Sequence, residues 1–260
     1  MSDSRDQAPG LPGRRTLEAA LEQVADVQGW MSPDQAERLF RAAACTRPGD
    51  QVVEIGSFQG RSTVVFAYGA PEAVPVVAID PHAGNDRGPQ EIDGFAAEAA
   101  GDHERFNANL ERAGVRHRVR HVRAFSNEAH TEVEGSIAVL YVDGAHRYAP
   151  ARADIRDWGA RVAPGGTMLI HDSFSSIGVT LAILRELLPG TRFRYVGRSR
   201  SLTEFRADLD RSRASRWTNA LRLLAQLPWF AKNVLIKVLI TLKLGRVLKA
   251  ITHREPEWPY

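Results

Sequence analysis

Apolar residues recur at helical spacing from Thr16 to Ala44, pause at Gly29-Trp30-Met31, and resume behind Ser32-Pro33, an N-cap followed by proline at the first helical position. Two helices are therefore predicted ahead of any strand. After Pro48-Gly49-Asp50 the pattern changes to short β-branched runs divided by helical stretches. Gln51–Ile55 is followed by a helix through Ala67, and Val76–Asp80 by a helix over His103–Ala113. Then come Arg118–Val122, Ile137–Val142, a helix around Ala151–Val162, and Thr167–His171. Strands that read as nearly continuous apolar runs and alternate with helices predict a parallel sheet covered on both faces. Right-handed crossovers then bring every strand's C-terminal end to one edge, where ligands bind. A helix over Val179–Leu188 and two β-patterned stretches, Arg192–Val196 and Leu202–Phe205, predict a closing antiparallel hairpin. The expected fold class is α/β, a doubly wound and mostly parallel sheet with N-terminal helices and a C-terminal helical tail.

The same pattern divides the chain into three parts. Residues 1–15, with Pro9, Gly10, Pro12 and Gly13 among polar neighbours, have the composition of a disordered arm. Residues 16–206 carry the α/β alternation, and 207–260 form the tail. The polar connection Ala83–Gly101 is long enough to act as a lid. A content of 43% hydrophobic and 25% charged residues excludes a disordered or fibrous chain. Charge separates the tail from the rest, because 207–260 holds ten Lys+Arg against four Asp+Glu and includes all four lysines, Lys232, Lys237, Lys243 and Lys249. The single cysteine, Cys45, cannot form an internal disulfide and reads as a small packing residue; Met1 to Arg15 has no apolar run suited to a signal peptide. A reducing cytosol is the expected compartment.

The turn after the first strand, Glu54-Ile55-Gly56-Ser57-Phe58-Gln59-Gly60-Arg61-Ser62, is where a ligand is expected. Gly56 and Gly60 allow a sharp bend and a close backbone approach, and the next helix points its free N–H groups at whatever lies there. Glu54 is placed to meet a cationic amino group. Asp80, 24 residues after Gly56, can accept both hydroxyls of a ribose, the alternative being a turn cap before Pro81. A dinucleotide would call for Gly-x-Gly-x-x-Gly, which this turn lacks. S-adenosylmethionine, with an amino acid at one end and a ribose at the other, suits Glu54, Ser57 and Asp80 better. Ser62, opening the helix, and Ser126, just past the third strand and in reach of an adenine, complete the expected cofactor contacts together with Asp143.

These residues resemble a known family. Val53-Glu54-Ile55-Gly56 with Gly60 is similar to the first motif of the class I S-adenosylmethionine-dependent methyltransferases, which have a Rossmann-like sheet. Tyr141-Val142-Asp143-Gly144-Ala145-His146-Arg147-Tyr148, Ala163-Pro164-Gly165-Gly166 and Ile170-His171-Asp172 resemble the bacterial branch that methylates sugar and antibiotic hydroxyls, as does Gly29-Trp30-Met31-Ser32. The likeness covers about residues 28–206. Asp143 and Asp172 end the fourth and fifth strands, where two carboxylates repel unless a cation or proton intervenes. Mg²⁺ would resolve that repulsion, and the resemblance implies the same role. His146, three residues on, is the expected general base. The branch carries an acid where this chain has His171, which either replaces that carboxylate as a third metal ligand or points away. His103, His117, His121 and His130 lie among charged residues and read as solvated surface.

Trp229–Ile251 holds five basic residues and no acid. Its lysines interrupt any run long enough to span a bilayer, so two readings stand for 216–251: an interfacial helix on anionic lipid, or a helical pair docked on the domain or on a second subunit of a homo-oligomer. Nucleic acid is not expected, given the aliphatic content. The expected function is transfer of a methyl group to a small-molecule or glycan hydroxyl. An NAD-dependent oxidoreductase and a non-catalytic, membrane-associated nucleoside-binding module are the rivals.

Overall fold

The computed structural model describes residues 15–83 and 101–241. The arm through residue 14, the connection 84–100 expected to act as a lid, and the tail beyond Thr241 lie outside the described residues. Within them, seven strands form one sheet: β1 (Val52–Ile55), β2 (Val76–Ile79), β3 (Val119–Val122), β4 (Ile137–Val142), β5 (Val162–Ile170), β6 (Arg194–Ser199) and β7 (Leu202–Arg206). The order is β3-β2-β1-β4-β5-β7-β6. The first five strands run parallel, and β7 runs antiparallel to both β5 and β6. The chain winds outward from β1 to β3 and then restarts on the other side at β4, so the switch point lies between β1 and β4.

All four residues of β1 are buried, which requires helices on both faces. Side chains alternate accordingly. Val52 packs with Ala20, Leu39, Val64 and Phe106 from α1 (Leu17–Gln23), α2 (Pro33–Ala44), α3 (Arg61–Gly69) and α4 (Asp102–Arg112). Val53 and Ile55 turn to the opposite layer, with Ile155, Trp158, Val179 and Ile183. The start of α2 is the predicted one: Pro33 sits at its first turn, and Ser32 and Gln35 form a capping box in which the Ser32 N–H donates to Gln35 Oε1 at 2.9 Å.

The helix expected over Ala151–Val162 is not regular. It begins as α5 (Tyr148–Ala153), widens into a π-type turn at Asp154–Trp158, and tightens over Gly159–Arg161. The wide turn puts Asp154 and Trp158 against the sheet together, both buried. α6 (Ile177–Leu187) follows the C-terminal end of β5. Cys45 is also placed differently from expectation. It caps α2 and is exposed, because the inward position of that last turn belongs to Ala43.

The first part of the tail forms α7 (Arg213–Leu224) and α8 (Leu227–Thr241), both docked on the domain. Buried Asn219 of α7 accepts from the Tyr195 N–H at 2.7 Å and donates to the Phe193 carbonyl at 3.1 Å, tying α7 to the β6 region. The Asn233 amide of α8 donates to the Phe174 carbonyl at 2.9 Å, and Lys237 Nζ donates to the Ser175 carbonyl at 2.9 Å. α8 therefore rests on the loop that follows β5.

Candidate active site

Ile79, Ile55, Val142 and Ile170 are neighbours across the sheet. The residues just after them, Asp80, Gly56, Asp143 and His171, therefore emerge side by side. Backbone bonds carry the ladder on into the loops: Gly56 N–H to Ile79 O at 2.9 Å, Asp143 N–H to Ile55 O at 2.8 Å, and His171 N–H to Val142 O at 3.0 Å. The glycine turn and the two aspartates share one edge.

In the turn, Gly56 has φ 86°, and a Cβ there would stand 2.3 Å from the Asp143 carbonyl oxygen. Its freedom is thus needed first for the approach of the β4 loop and not for a ligand alone. Gly60, also at φ 86°, begins α3 against Phe106. Glu54 is fully buried, and both of its carboxylate oxygens accept hydroxyl hydrogen bonds from α3, one from Ser62 and one from Thr63. Burial raises its pKa to about 8 against the lowering effect of those two bonds, with Asp143 and Asp80 adding to the rise. Ser62, expected to face the cofactor, instead braces this acid. Ser57 Oγ is buried with no hydrogen-bond partner among the described residues, a polar atom left for a ligand to satisfy. Asp80 accepts from the Phe58 N–H at 2.8 Å and the His82 N–H at 2.7 Å. The turn-cap role is real, and each oxygen retains a second acceptor direction. The Ser126 hydroxyl donates to Asp154 Oδ1 at 2.5 Å, so its hydrogen is already committed.

Beyond β4 and β5, Asp143, His146 and Asp172 converge, one ligand atom from each lying within 4.8 Å of the others. His146 Nε2 is 2.8 Å from Asp172 Oδ2. The Tyr141 hydroxyl donates to Asp143 Oδ2 at 2.8 Å. The main chain around His146 is tightly held: the Ser176 hydroxyl donates to its carbonyl at 3.3 Å, and a Cβ on Gly178 would come 2.2 Å from that same oxygen. Asp172 and Phe174 adopt left-handed backbone, at φ 53° and 55°, which is strained for residues with a Cβ.

The convergent group contains His146 where the sequence led us to expect His171. The His171 side chain is buried beneath the aspartates, with Nδ1 3.2 Å from Asp143 Oδ1 and 3.3 Å from Asp172 Oδ2. Burial alone would lower its pKa, but the two carboxylates outweigh that and hold it well above 6.5. The two carboxylates thus have an imidazole beneath them whose protonated form they favour. The remaining histidines are likewise not all solvated. His103 and His121 pack with His82 in a cluster of rings about 5 Å apart beside Phe106, and His130 stacks on Trp158 at 4.4 Å. Pairing of β3 with β2, invisible in the local pattern, brings His121 to the Asp80 turn, where its Nε2 lies 3.2 Å from the Asp80 carbonyl.

Thr63, Tyr141, Gly178 and Lys237 were missed by sequence reasoning. Tyr141 carried a usable signal, since it lies two residues before Asp143 on the same strand edge. For Gly178 and Lys237 there was none, because their partners lie about 30 and 60 residues away.

The family described as a methyltransferase domain matches residues 53–173. Solved structures with this fold include the cofactor-bound Rv0187 from MTB, at 20% identity over 74% of this chain and 88% of that one, with a TM-score of 0.53. The SAH-bound methyltransferase PaMTH1 of Podospora anserina matches at 16% identity over 78% and 91%, with a TM-score of 0.53. The O-methyltransferase NovP matches at 17% over 69% and 83%, with a TM-score of 0.54. The β3-β2-β1-β4-β5-β7-β6 sheet and the glycine turn after β1 are thus those of the fold these solved structures share, and residues 53–173 are similar to the methyltransferase-domain family.

Proposed function

We propose that this enzyme methylates a hydroxyl oxygen of a sugar, a glycan or a glycosylated metabolite. The reading rests on one observation: Asp143, His146 and Asp172 converge beside the glycine turn, next to the place where a methyl donor would lie. The motif resemblance to the branch acting on sugar and antibiotic hydroxyls supports an oxygen acceptor, as does the fold shared with the O-methyltransferase NovP.

The donor fits the residues present, given the unsatisfied Ser57 hydroxyl and the free N–H groups opening α3. Glu54, Gly56, Ser57, Gly60, Asp80 and Asp143 are the residues we assign to holding it, with Ser62 bracing Glu54. When bound, S-adenosylmethionine supplies an electrophilic methyl carbon. Glu54, buried with its pKa raised to about 8, is placed to pair with the donor's ammonium group. Asp80 accepts ribose hydroxyls with its remaining lone pairs. His146 donates its Nε2 hydrogen to Asp172, which leaves the lone pair on Nδ1 to take the acceptor's proton as general base. Gly178 and Ser176 hold the His146 main chain, so that alignment is built before the acceptor arrives.

The two carboxylates also fit a divalent cation such as Mg²⁺. Asp143 and Asp172 would hold it, and its charge would lower the acceptor hydroxyl's pKa. A second reading makes His146 the third ligand, favoured by its place in the same convergent group. A nitrogen donor would then shift preference from Mg²⁺ toward first-row transition metals. We assign residues 16–206 to catalysis and 207–260 to a basic amphipathic helical tail that meets an anionic membrane through 216–251, with the enzyme in the cytoplasm.

The test is methyl transfer from radiolabelled S-adenosylmethionine to a panel of sugar and glycoside hydroxyls, with and without EDTA. Calorimetric binding of NAD in place of S-adenosylmethionine would sink the reading. Donor binding without transfer to any acceptor would favour the non-catalytic module.

A further inference from the structure

The docked tail leaves an apolar surface next to the catalytic edge. Trp217 and Leu221 of α7 and Leu235 of α8 are each more than half exposed, and Val238 is nearly so. By length and composition Arg213–Thr241 could cross a bilayer, yet only 11% of its most apolar stretch is buried in the protein. Crossing by that stretch would carry Lys232 and Lys237 into hydrocarbon and break the bonds that Asn233 and Lys237 make to the domain. Lying on a bilayer surface removes both costs. The charge is one-sided as well. From Arg211 to Arg254 the chain has no acid, and Arg211, Arg213, Arg216, Arg222 and Lys232 are all exposed, which suits an anionic surface.

The inner side of α8 holds the catalytic loop. Asn233 and Lys237 bond to Phe174 and Ser175, two and three residues beyond Asp172, in a loop with left-handed backbone at Asp172 and Phe174. The helix that offers Leu235 and Val238 to the outside thus fixes the loop that orients His146 through Asp172. A surface met by α8 lies beside the site.

We propose that α7 and α8 rest on an anionic lipid surface and that the acceptor is taken from it: a hydroxylated headgroup, such as a sugar, on an apolar anchor. This rests on the O-methyltransferase reading above and narrows its acceptor to an amphiphile.

The experiment uses the full chain and the variant Leu235→Asp/Val238→Asp, whose positions touch neither the site nor the domain core. Co-sedimentation is measured with phosphatidylcholine vesicles and with vesicles containing phosphatidylglycerol. Methyl transfer is measured with a glycosyl diacylglycerol in those vesicles and with a short-chain glycoside carrying the same headgroup. The wild type is expected to sediment only with anionic vesicles and to label the vesicle-borne headgroup in preference to the soluble one. The variant should keep the same melting temperature and donor affinity but lose vesicle partition by roughly a hundredfold, with vesicle-borne turnover falling alongside. Two results would overturn the proposal: equal labelling of soluble and vesicle-borne headgroups by a wild type that does not sediment, or a wild-type dimer that the variant converts to monomer, which would make this face a self-interface. Donor binding by calorimetry is read separately, so failure of the methyltransferase reading cannot be mistaken for failure of the surface.

Discussion

Glu54 offers a measurement with a calculable size. It is completely buried, its pKa is raised from 4.5 to about 8, and desolvation is the leading cause. A carboxyl raised by folding binds its proton more tightly in the native state. Its contribution to stability is therefore fully present below pH 4.5 and is lost as the pH rises through about 8. At about 1.36 kcal/mol for each pH unit, the displacement sets an upper bound of roughly 5 kcal/mol on what the donor-free protein loses over that window. Glu54→Gln keeps the shape, stays neutral and can still exchange hydrogen bonds with Ser62 and Thr63. Urea unfolding of both proteins at several values from pH 5 to 9 isolates this group, because other titrations largely cancel in the difference. The variant should match the wild type near pH 5 and exceed it by several kcal/mol at pH 9, while its affinity for S-adenosylmethionine falls at least tenfold for want of a negative partner. A stability difference that stays constant across the range would refute the assignment of a neutral, desolvated Glu54.

Other outcomes follow from close contacts at the same edge. Gly56→Ala places a methyl group 2.3 Å from the Asp143 carbonyl at φ 86°, and should cost at least about 2 kcal/mol in thermal unfolding and depress turnover by displacing Asp143. Gly178→Ala pushes on the His146 carbonyl from the opposite layer; turnover should fall on the order of a hundredfold with donor affinity nearly unchanged, and an equal loss in calorimetry would indicate general damage. Lys237→Met removes the bonds to Ser175 and should reduce kcat more than KM, while a variant with wild-type kinetics would show that α8 does not hold the loop. Asp172→Asn leaves His146 without its carboxylate partner and should cut turnover at least a hundredfold; full activity in EDTA would separately remove a metal from the mechanism.

The strands, their order along the chain, and the chemistry of the turn after β1 were legible because they depend on local periods. A run such as Val52–Ile55 is apolar on both sides whatever lies beside it, and Ser32-Pro33 starts a helix through its own hydrogen bonds. Parallel topology then required Gly56, Asp80, Asp143 and Asp172 to meet at one edge. Which atoms those residues touch was decided elsewhere. Ser62 faces Glu54, Ser126 faces Asp154, and His171 lies beneath the aspartates, because each depends on how far a neighbouring layer stands from the sheet. The histidine cluster exists only once β3 lies beside β2. Sequence alone left the tail between docking and membrane. Tertiary structure docks one side through Asn233 and Lys237 and leaves Leu235 and Val238 outward, since a helix apolar all round cannot announce which side its neighbours will cover.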